Sequence, residues 1–475
     1  MKVAELHSPV RASWMKNNGL RLDSSPYLSG GYAAKAQLEN LSIKKQALQE
    51  VTKGGIKGIY HAGRMGRVYV SDPLFGTPFL GSTDILAVDL SQLPLLSNKL
   101  VKDNPQFLIE KGWTLITRSG TIGRMAYVRD DMSKMTCSEH VIRVVPNQKV
   151  IPPGYLFAFL GSRFGVPLVS SETYGAIIQH IEPAHISNLP IPRFEDSLEA
   201  EVHNLIQSAS ALRSNALGTL YKSGDKLLDA VGLTDLPDAR KAATPLVSIV
   251  PSSDLRMRLE GAFHSPLAIE AETGIKRAKY KVLSLHNSEV SEKLFKPNIF
   301  KRNWVDSSEY GPAFVSGNNI YRMNPAPDRY VSNDSADLQS YLLKEGTVVF
   351  QAAGQLNGLF GWPVYVNSYL DGMFCSDDVF RVVPHSKLDA GFIYAYLRTN
   401  FGQRLLKRQA YGYSIPRVVA EHVGQVLIPW PDEDVRHDIG RPVVEAWEDI
   451  ARAIKVEEDA ISLVERAIEK QIPKA

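Results

Sequence analysis

One feature limits what this 475-residue chain can fold into more than any other: it repeats itself. The segment Cys137-Ser138-Glu139-His140-Val141-Ile142-Arg143-Val144-Val145-Pro146 returns as Cys375-Ser376-Asp377-Asp378-Val379-Phe380-Arg381-Val382-Val383-Pro384, with seven of ten positions identical. At roughly 7% chance identity per position, that match is on the order of one in a million for a given alignment. Other segments match in the same order. Arg21-Leu22-Asp23 pairs with Arg258-Leu259-Glu260, the stretch Pro78 to Ile85 with Ala313 to Ile320, and Lys111 to Ile116 with Glu345 to Phe350. Gly154 to Leu160 pairs with Gly391 to Leu397, Tyr174-Gly175 with Tyr411-Gly412, and Ile191-Pro192 with Ile428-Pro429. The offset stays between 234 and 238 residues throughout. A domain of about 200 residues has therefore been duplicated in tandem, which suits a chain too long for one core of roughly 250–300 residues.

Each copy ends in a helical pattern. After Pro192, the apolar residues Leu198, Val202, Leu205, Ala209, Leu212 and Ala216 step by alternating fours and threes. That spacing is the seam of a coiled coil or of a long amphipathic helix. After Pro431 the second set runs Val435, Ile439, Val443, Ala446, Ile450, Ala453, then Ala460, Val464 and Ala467. Glu457 interrupts this seam, and Pro442 is expected to bend the helix or delay its start. Within a copy, Thr114–Thr117, 141–145, Val348–Gln351 and Val379–Val383 read as strands, and 156–164 and 392–398 as short helices. The expected fold is α+β: tandem mixed α/β domains, each followed by a long helix, with the two helices pairing as an antiparallel coiled coil. The expected boundaries are 1–195 for the first domain, 196–235 for its helix and 236–257 for a proline-containing linker. The second domain is expected at 258–430 and its helix at 431–475.

Composition excludes several classes. At 44% apolar and 22% charged residues the chain is globular, and no run of 18 apolar residues suggests a membrane span. The opening residues lack the apolar core of a secretory signal, and two cysteines cannot build a disulfide framework or a zinc cluster. A cytoplasmic protein is the expectation, with Cys137 and Cys375 as small core residues. The net charge of +3 leaves nucleic acid open, since a local basic patch acts without a basic average. Lys53, Lys57, Arg64 and Arg67 follow one another with no acidic residue between Glu50 and Asp72; Lys276, Arg277, Lys279 and Lys281 form another run.

The segment Leu108 to Arg124, which carries Arg118-Ser119-Gly120-Thr121-Ile122-Gly123-Arg124, resembles the strand, Gly-Thr-Ile-Gly turn and next strand of target recognition domains in type I restriction–modification specificity subunits. Tyr174 to Ile181 followed by Asn188-Leu189-Pro190-Ile191-Pro192 is similar to that family's domain end. Arg21-Leu22-Asp23 with Tyr27 is similar to its domain start. The second copy departs: Gly354-Gln355-Leu356-Asn357-Gly358 stands at the turn, and Arg417 to Pro429 keeps only the Ile-Pro. The resemblance implies a non-catalytic subunit in which each domain reads one half of a split site on double-stranded DNA. The paired helices would space the halves. It implies as partners adenine-N6 DNA methyltransferase subunits, which would hold the S-adenosylmethionine, and a motor–nuclease restriction subunit. No cofactor is expected in this chain itself.

The sequence carries no Asn-Pro-Pro-Tyr or Asp-Pro-Pro-Tyr motif, no glycine motif for S-adenosylmethionine and no phosphate-binding G-x-x-x-x-G-K-[ST] loop. His185 and His422 coincide in the repeat but lack Cys or His at ligand spacing, so they read as structural. Phosphate donors position a protein on DNA, and side chains that pair with base edges read it. The candidates for DNA contact in the first copy are Lys57, Arg64, Arg67, Arg118, Ser119, Thr121, Arg124, Tyr174 and Gln179. In the second they are Lys301, Arg302, Gln351, Gln355, Asn357, Tyr411, Tyr413 and Arg417. For Thr121 and Gly123 a purely backbone role is preferred, since glycines permit a tight turn at positive φ. Two other readings stay open: the specificity part of a fused methyltransferase–nuclease, and an adaptor or scaffold of a related phage-defence complex that has kept the fold without sequence reading.

Overall fold

The computed structural model describes residues 12–17, 30–171, 180–238, 246–255, 258–327, 329–335 and 337–472. Residues 21–27, 174–179 and part of the expected linker lie outside them. The chain forms two compact units, one of residues 1–214 with 452–475 and the other of 215–451. Each unit therefore takes one half of the first long helix, Asp196–Val231, and the opposite half of the second, Glu433–Gln471.

Among the described residues the first unit holds three small sheets. β1 (Lys45–Ala47) pairs antiparallel with β10 (Pro190–Pro192), placing Gln46 against Ile191 and closing the domain's two ends on each other. The central sheet runs β2 (Ile59–Tyr60), β9 (Val141–Val144), β6 (Thr114–Thr117), β7 (Met125–Tyr127). A third runs β3 (Tyr69–Val70), β5 (Leu95–Ser97), β4 (Gly76–Leu80), with β8 (Thr136–Cys137) parallel to β4. The central sheet is buried on both faces because its apolar residues alternate between two cores. Ile116, Ile142 and Val144 face the cluster formed with helix Pro153–Gly161, whereas Leu115 and Val141 face the one containing Leu80, Val128 and Cys137.

The second unit repeats this plan, except that its outer sheet is split into two strand pairs. β11 (Val282–Ser284) pairs with β20 (Leu427–Pro429), Leu283 opposite Ile428. β12 (Lys293–Phe295), β19 (Val379–Val383), β16 (Val348–Gln351) and β17 (Val364–Tyr365) form the central sheet. β13 (Trp304–Val305) pairs with β15 (Tyr330–Val331), and β14 (Phe314–Val315) runs parallel to β18 (Phe374–Cys375). Val315 lies opposite Cys375 just as Leu80 lies opposite Cys137. Both cysteines are buried and free, and burial pushes each thiol up to about 11.

The expected strands lie where the sequence put them, but the expected helix 156–164 runs instead over Pro153–Gly161, and a separate helix, Gly165–Ser171, follows it. Ser162 breaks the run: its Oγ accepts from Phe164 N at 3.3 Å and Gly165 N at 3.2 Å. Gly165 then lies so close to the preceding helix that a Cβ would sit 2.3 Å from Phe159 O. The second copy does the same with Thr399, whose Oγ1 accepts from Gly402 N at 3.1 Å between helices Lys387–Arg398 and Asn400–Arg408.

In the first unit the two long helices pack together. Val202 and Ile206 share a core with Ala460, Val464 and Ile468. The buried line on the first helix is Val202, Ile206, Ala209, Arg213 and Ala216, so Leu205 and Leu212 of the expected seam stand half-buried beside it. Glu457 does not interrupt the packing, because Arg213 on the facing helix ion-pairs with it. In the second unit the second helix starts nine residues before Pro442 rather than being delayed by it. There Gly440 packs against Gly391, a contact no Cβ could allow: one on Gly440 would sit 2.0 Å from Leu388 O. Trp447 stands edge-on to Tyr394 at 5.7 Å, and its carbonyl accepts from Asn367 Nδ2 at 2.9 Å.

Candidate nucleic-acid interface

The repeated Cys-Ser-x-x-Val-x-Arg segment is a structural staple. Arg143 is fully buried in β9, where Nη1 donates to Ser138 O at 2.9 Å and Val141 O at 2.8 Å, and Nη2 to Phe107 O at 3.3 Å and to Cys137 O. Arg381 in β19 donates to Val379 O, to Tyr341 O at 3.2 Å and to Cys375 O at 3.4 Å. Each guanidinium also lies near the ring of its cross-strand partner, Tyr60 at 5.8 Å and Phe295 at 5.7 Å. A buried guanidinium that donates to several buried carbonyls explains why this arginine recurs in both copies. Neither is available to a ligand.

Around this staple the two copies build the same half-exposed cluster. Arg67 Nη2 donates to Glu139 Oε2 at 2.7 Å, and its guanidinium lies 4.9 Å from the Phe79 ring. Arg302 Nη2 donates to Asp377 Oδ1 at 2.7 Å and lies 5.5 Å from the Phe314 ring. Tyr69 meets Phe79 edge-on at 6.2 Å, as Trp304 meets Phe314 at 5.0 Å. Tyr69 and Trp304 are both exposed. Burial is the largest influence on Glu139 and opposes its ionisation, but the Arg67 hydrogen bond, the residue's own backbone N–H, the Arg67 charge and His140 together outweigh it and hold this carboxyl below its usual range. Arg64, Met65, Gly66, Arg67 and Glu139 line an open depression of about 600 Å³. Sequence reasoning named Arg67 and Arg302 but missed Tyr69, Trp304 and the two acids. Superposing the basic stretches as well as the Cys-Ser blocks would have paired them.

The turn of the first copy is held from within. Arg118 Nε donates to Ile181 O at 3.0 Å and its Nη2 to Glu182, which also takes His61 Nε2 at 3.2 Å. Burial first, then Arg118, lowers the His61 pKa against the pull of Glu182, so the ring is neutral, with Nδ1 accepting from Gly63 N at 3.3 Å. Ser119 Oγ lies 2.8 Å from His140 Nδ1, while His140 Nε2 is 3.6 Å from Glu139 Oε1. Through its other oxygen, Oε2, the same carboxylate accepts from Arg67. Thr121 is exposed and its carbonyl accepts from Thr117 Oγ1 at 2.6 Å. Gly123 has a φ of 79°, and a Cβ there would lie 2.7 Å from Ser170 Oγ, so its role is backbone geometry. Arg124 is half-buried, and Lys57 and Arg64 are exposed; none of the three has an ion pair among the described residues. Tyr174 and Gln179 lie outside the described residues.

In the second copy the turn and the later hairpin meet. Gly354 N donates to Pro416 O at 3.1 Å, Val418 N to Ala352 O at 3.0 Å, and Tyr411 and Arg417 exchange backbone hydrogen bonds at 2.9 Å. Gln355 Nε2 reaches Ser414 O at 3.4 Å, and Gln351 Nε2 donates to Asn318 Oδ1 at 3.2 Å. Asn357, Tyr413 and the Arg417 side chain project into solvent, while the Tyr411 ring stands edge-on to His422 at 5.7 Å. Lys301 is exposed. This surface offers amides, a hydroxyl and cations, the donors and acceptors that contact phosphates and base edges. Among the described residues no group of three or more His, Cys, Asp or Glu could hold a metal ion, and no helix is long and apolar enough to cross a membrane.

Three solved structures align along nearly the whole chain. The S subunit of a type I restriction-modification system from M. genitalium does so over 92% of this chain and 97% of its own, at 11% identity and a TM-score of 0.36. A chain from a structure of complex assembly and conformational transition in the type I R-M system covers 90% and 96%, at 13% identity and 0.28. The HsdS subunit from Thermoanaerobacter tengcongensis covers 90% and 96%, at 13% identity and 0.26. No family model and no curated protein matches the sequence.

Proposed function

We propose that this chain is the DNA-sequence-specificity subunit of a type I restriction–modification complex, a non-catalytic binding protein whose two domains each read one half of a bipartite site. The duplication is the observation that supports this most. Two copies share one strand plan and one arginine staple, yet differ in the side chains of their exposed loops: Thr121 and Arg124 in one, Gln355, Asn357 and Tyr413 in the other. Equal scaffolds with unequal surfaces suit two similar modules that dock on one duplex as a dimer docks on a palindrome, but read different sequences.

Under this reading the helices separate the half-sites and offer the docking surface for adenine-N6 methyltransferase subunits. Those subunits would bring the S-adenosylmethionine, with a motor–nuclease subunit joining the assembly in the cytoplasm. A domain exchange tests it. Replacing residues 21–192 by the matching domain of another specificity subunit should change one half of the methylated site and leave the other. A swap that alters both halves, or neither, would overturn the two-reader assignment. Methyl transfer by the isolated chain would overturn its non-catalytic role.

A further inference from the structure

Two exposed aromatic rings occupy the same place in the two copies. Between β3 and β4, Asp72 Oδ1 accepts from Leu74 N at 3.0 Å and Asp72 O from Phe75 N at 3.0 Å. Between β13 and β14, Ser307 Oγ accepts from Glu309 N at 3.2 Å and Ser307 O from Tyr310 N at 3.2 Å. A glycine closes each turn where no side chain fits: a Cβ on Gly76 would lie 2.6 Å from Leu95 Cβ, and one on Gly311 1.8 Å from Val331 O. Both turns are thus fixed in shape. Each presents a ring to solvent, Phe75 at 64% exposure and Tyr310 at 56%. The neighbouring residues differ between the copies, Leu74 against Glu309 and Asp72 against Ser307, but the ring does not. Core packing cannot account for it, because neither ring is buried.

The chain leading into each turn is basic. Lys53, Lys57, Arg64 and Arg67 precede Phe75 with no acidic residue between Glu50 and Asp72, and Lys293, Lys296, Lys301 and Arg302 precede Tyr310 with none between Glu292 and Asp306. We propose that Phe75 and Tyr310 are one aromatic finger, built twice, that stacks on or wedges between the bases of double-stranded DNA. Exposed members of the basic stretch that precedes it in sequence, among them Arg64 and Lys57 in the first copy and Lys301 in the second, neutralise the phosphates. The inference rests on the DNA-specificity reading and names the surface that performs it. An apolar wedge on a tight turn is how proteins part base steps, and an aromatic ring serves any base because every base has a π-face. The cations favour a polyanion over an apolar protein partner.

The test uses the full chain assembled with its methyltransferase subunits and duplexes carrying the mapped site, with 2-aminopurine placed at successive positions. Phe75→Ala should weaken binding by roughly 5-fold to 150-fold, the loss expected for one stacked base. It should also abolish the fluorescence rise in one half-site, and Tyr310→Ala should do the same in the other. Phe75→Tyr and Tyr310→Phe should restore both signals, and melting temperatures should not move because the rings are exposed. Unchanged binding and fluorescence in both alanine variants would overturn the finger alone. So would variants that lose the methyltransferase subunits while the isolated chain keeps its DNA affinity. A wild-type complex with no affinity for any duplex would instead overturn the specificity reading beneath it.

Discussion

Arg213 on the first long helix and Glu457 on the second form an ion pair buried between them, at 6% and 11% side-chain exposure. The pair is incompletely satisfied, since Arg213 Nε and Nη2 find no hydrogen-bond partner among the described residues. Breaking such a pair leaves a buried charge alone, whereas replacing both partners removes the desolvation cost as well. Arg213→Leu should therefore destabilise the first unit by about 3–5 kcal/mol, and the double change Arg213→Leu with Glu457→Leu should be neutral or stabilising by about 1–4 kcal/mol. Thermal unfolding of the three proteins distinguishes these outcomes. Single and double variants of equal stability would mean the charges are not coupled.

The arginine staples predict a different pattern. Arg143→Met or Arg381→Met removes a donor from several buried carbonyls, at about 1–3 kcal/mol for each one left unsatisfied. Either change should cost several kcal/mol, and lysine should not rescue it, because a single ammonium cannot span carbonyls that the planar guanidinium fork reaches together. Urea unfolding reports the loss, and recovery of full stability in Arg143→Lys would contradict the staple.

Arg64 and Arg67 should behave differently despite their proximity. Arg64 is exposed and unpaired among the described residues, so Arg64→Ala should lower the log–log salt slope of DNA binding by roughly 0.9, equally for all sequences. Arg67 is already committed to Glu139, so Arg67→Ala should change the slope less and stability more. An unchanged slope in Arg64→Ala would assign that residue to a solvated face.

The same ion pair sets a pH dependence. Glu139 has its folded pKa held below the usual 4.5, so its contribution is fully present above that value and fades as pH falls through the lower, folded pKa. The stability gap between wild type and Arg67→Ala should thus be constant near neutrality and shrink in acid. A gap that does not shrink at any acidic pH at which the protein stays folded would mean that Arg67 acts through its packing on Phe79 instead.

Helix length offers a test of spacing. Four residues inserted in the first helix alone would lengthen one helix and not the other, so matched insertions are needed, after Asn215 and before Arg452, where the Arg213–Glu457 pair is left in register. Each adds ~6 Å, near two base pairs at ~3.4 Å each, and rotates the downstream part about 40° from a whole turn. The assembled complex should then methylate a site with a longer unread spacer between unchanged half-sites. Methylation mapping that returns the original spacer would remove the helices from that role.

Much of this was legible in the sequence for a physical reason. Duplicated segments must fold alike when their buried residues match, so the Cys-Ser-x-x-Val-x-Arg block located the central sheet of both units, and glycines bounded β6 and β16. The long helices could be read from apolar spacing alone. What spacing could not show was which face is deepest: it favoured Leu205 and Leu212, but the seam runs through Ile206 and Arg213, because an arginine can take a core position once an acid 244 residues away in sequence faces it. The same limit applied to the surface. Arg67, Arg118 and Arg302 looked like free cations in the sequence, and only the tertiary structure set them against Glu139, Glu182 and Asp377. A charge's availability depends on what faces it across the fold, and that partner has no fixed place in the chain.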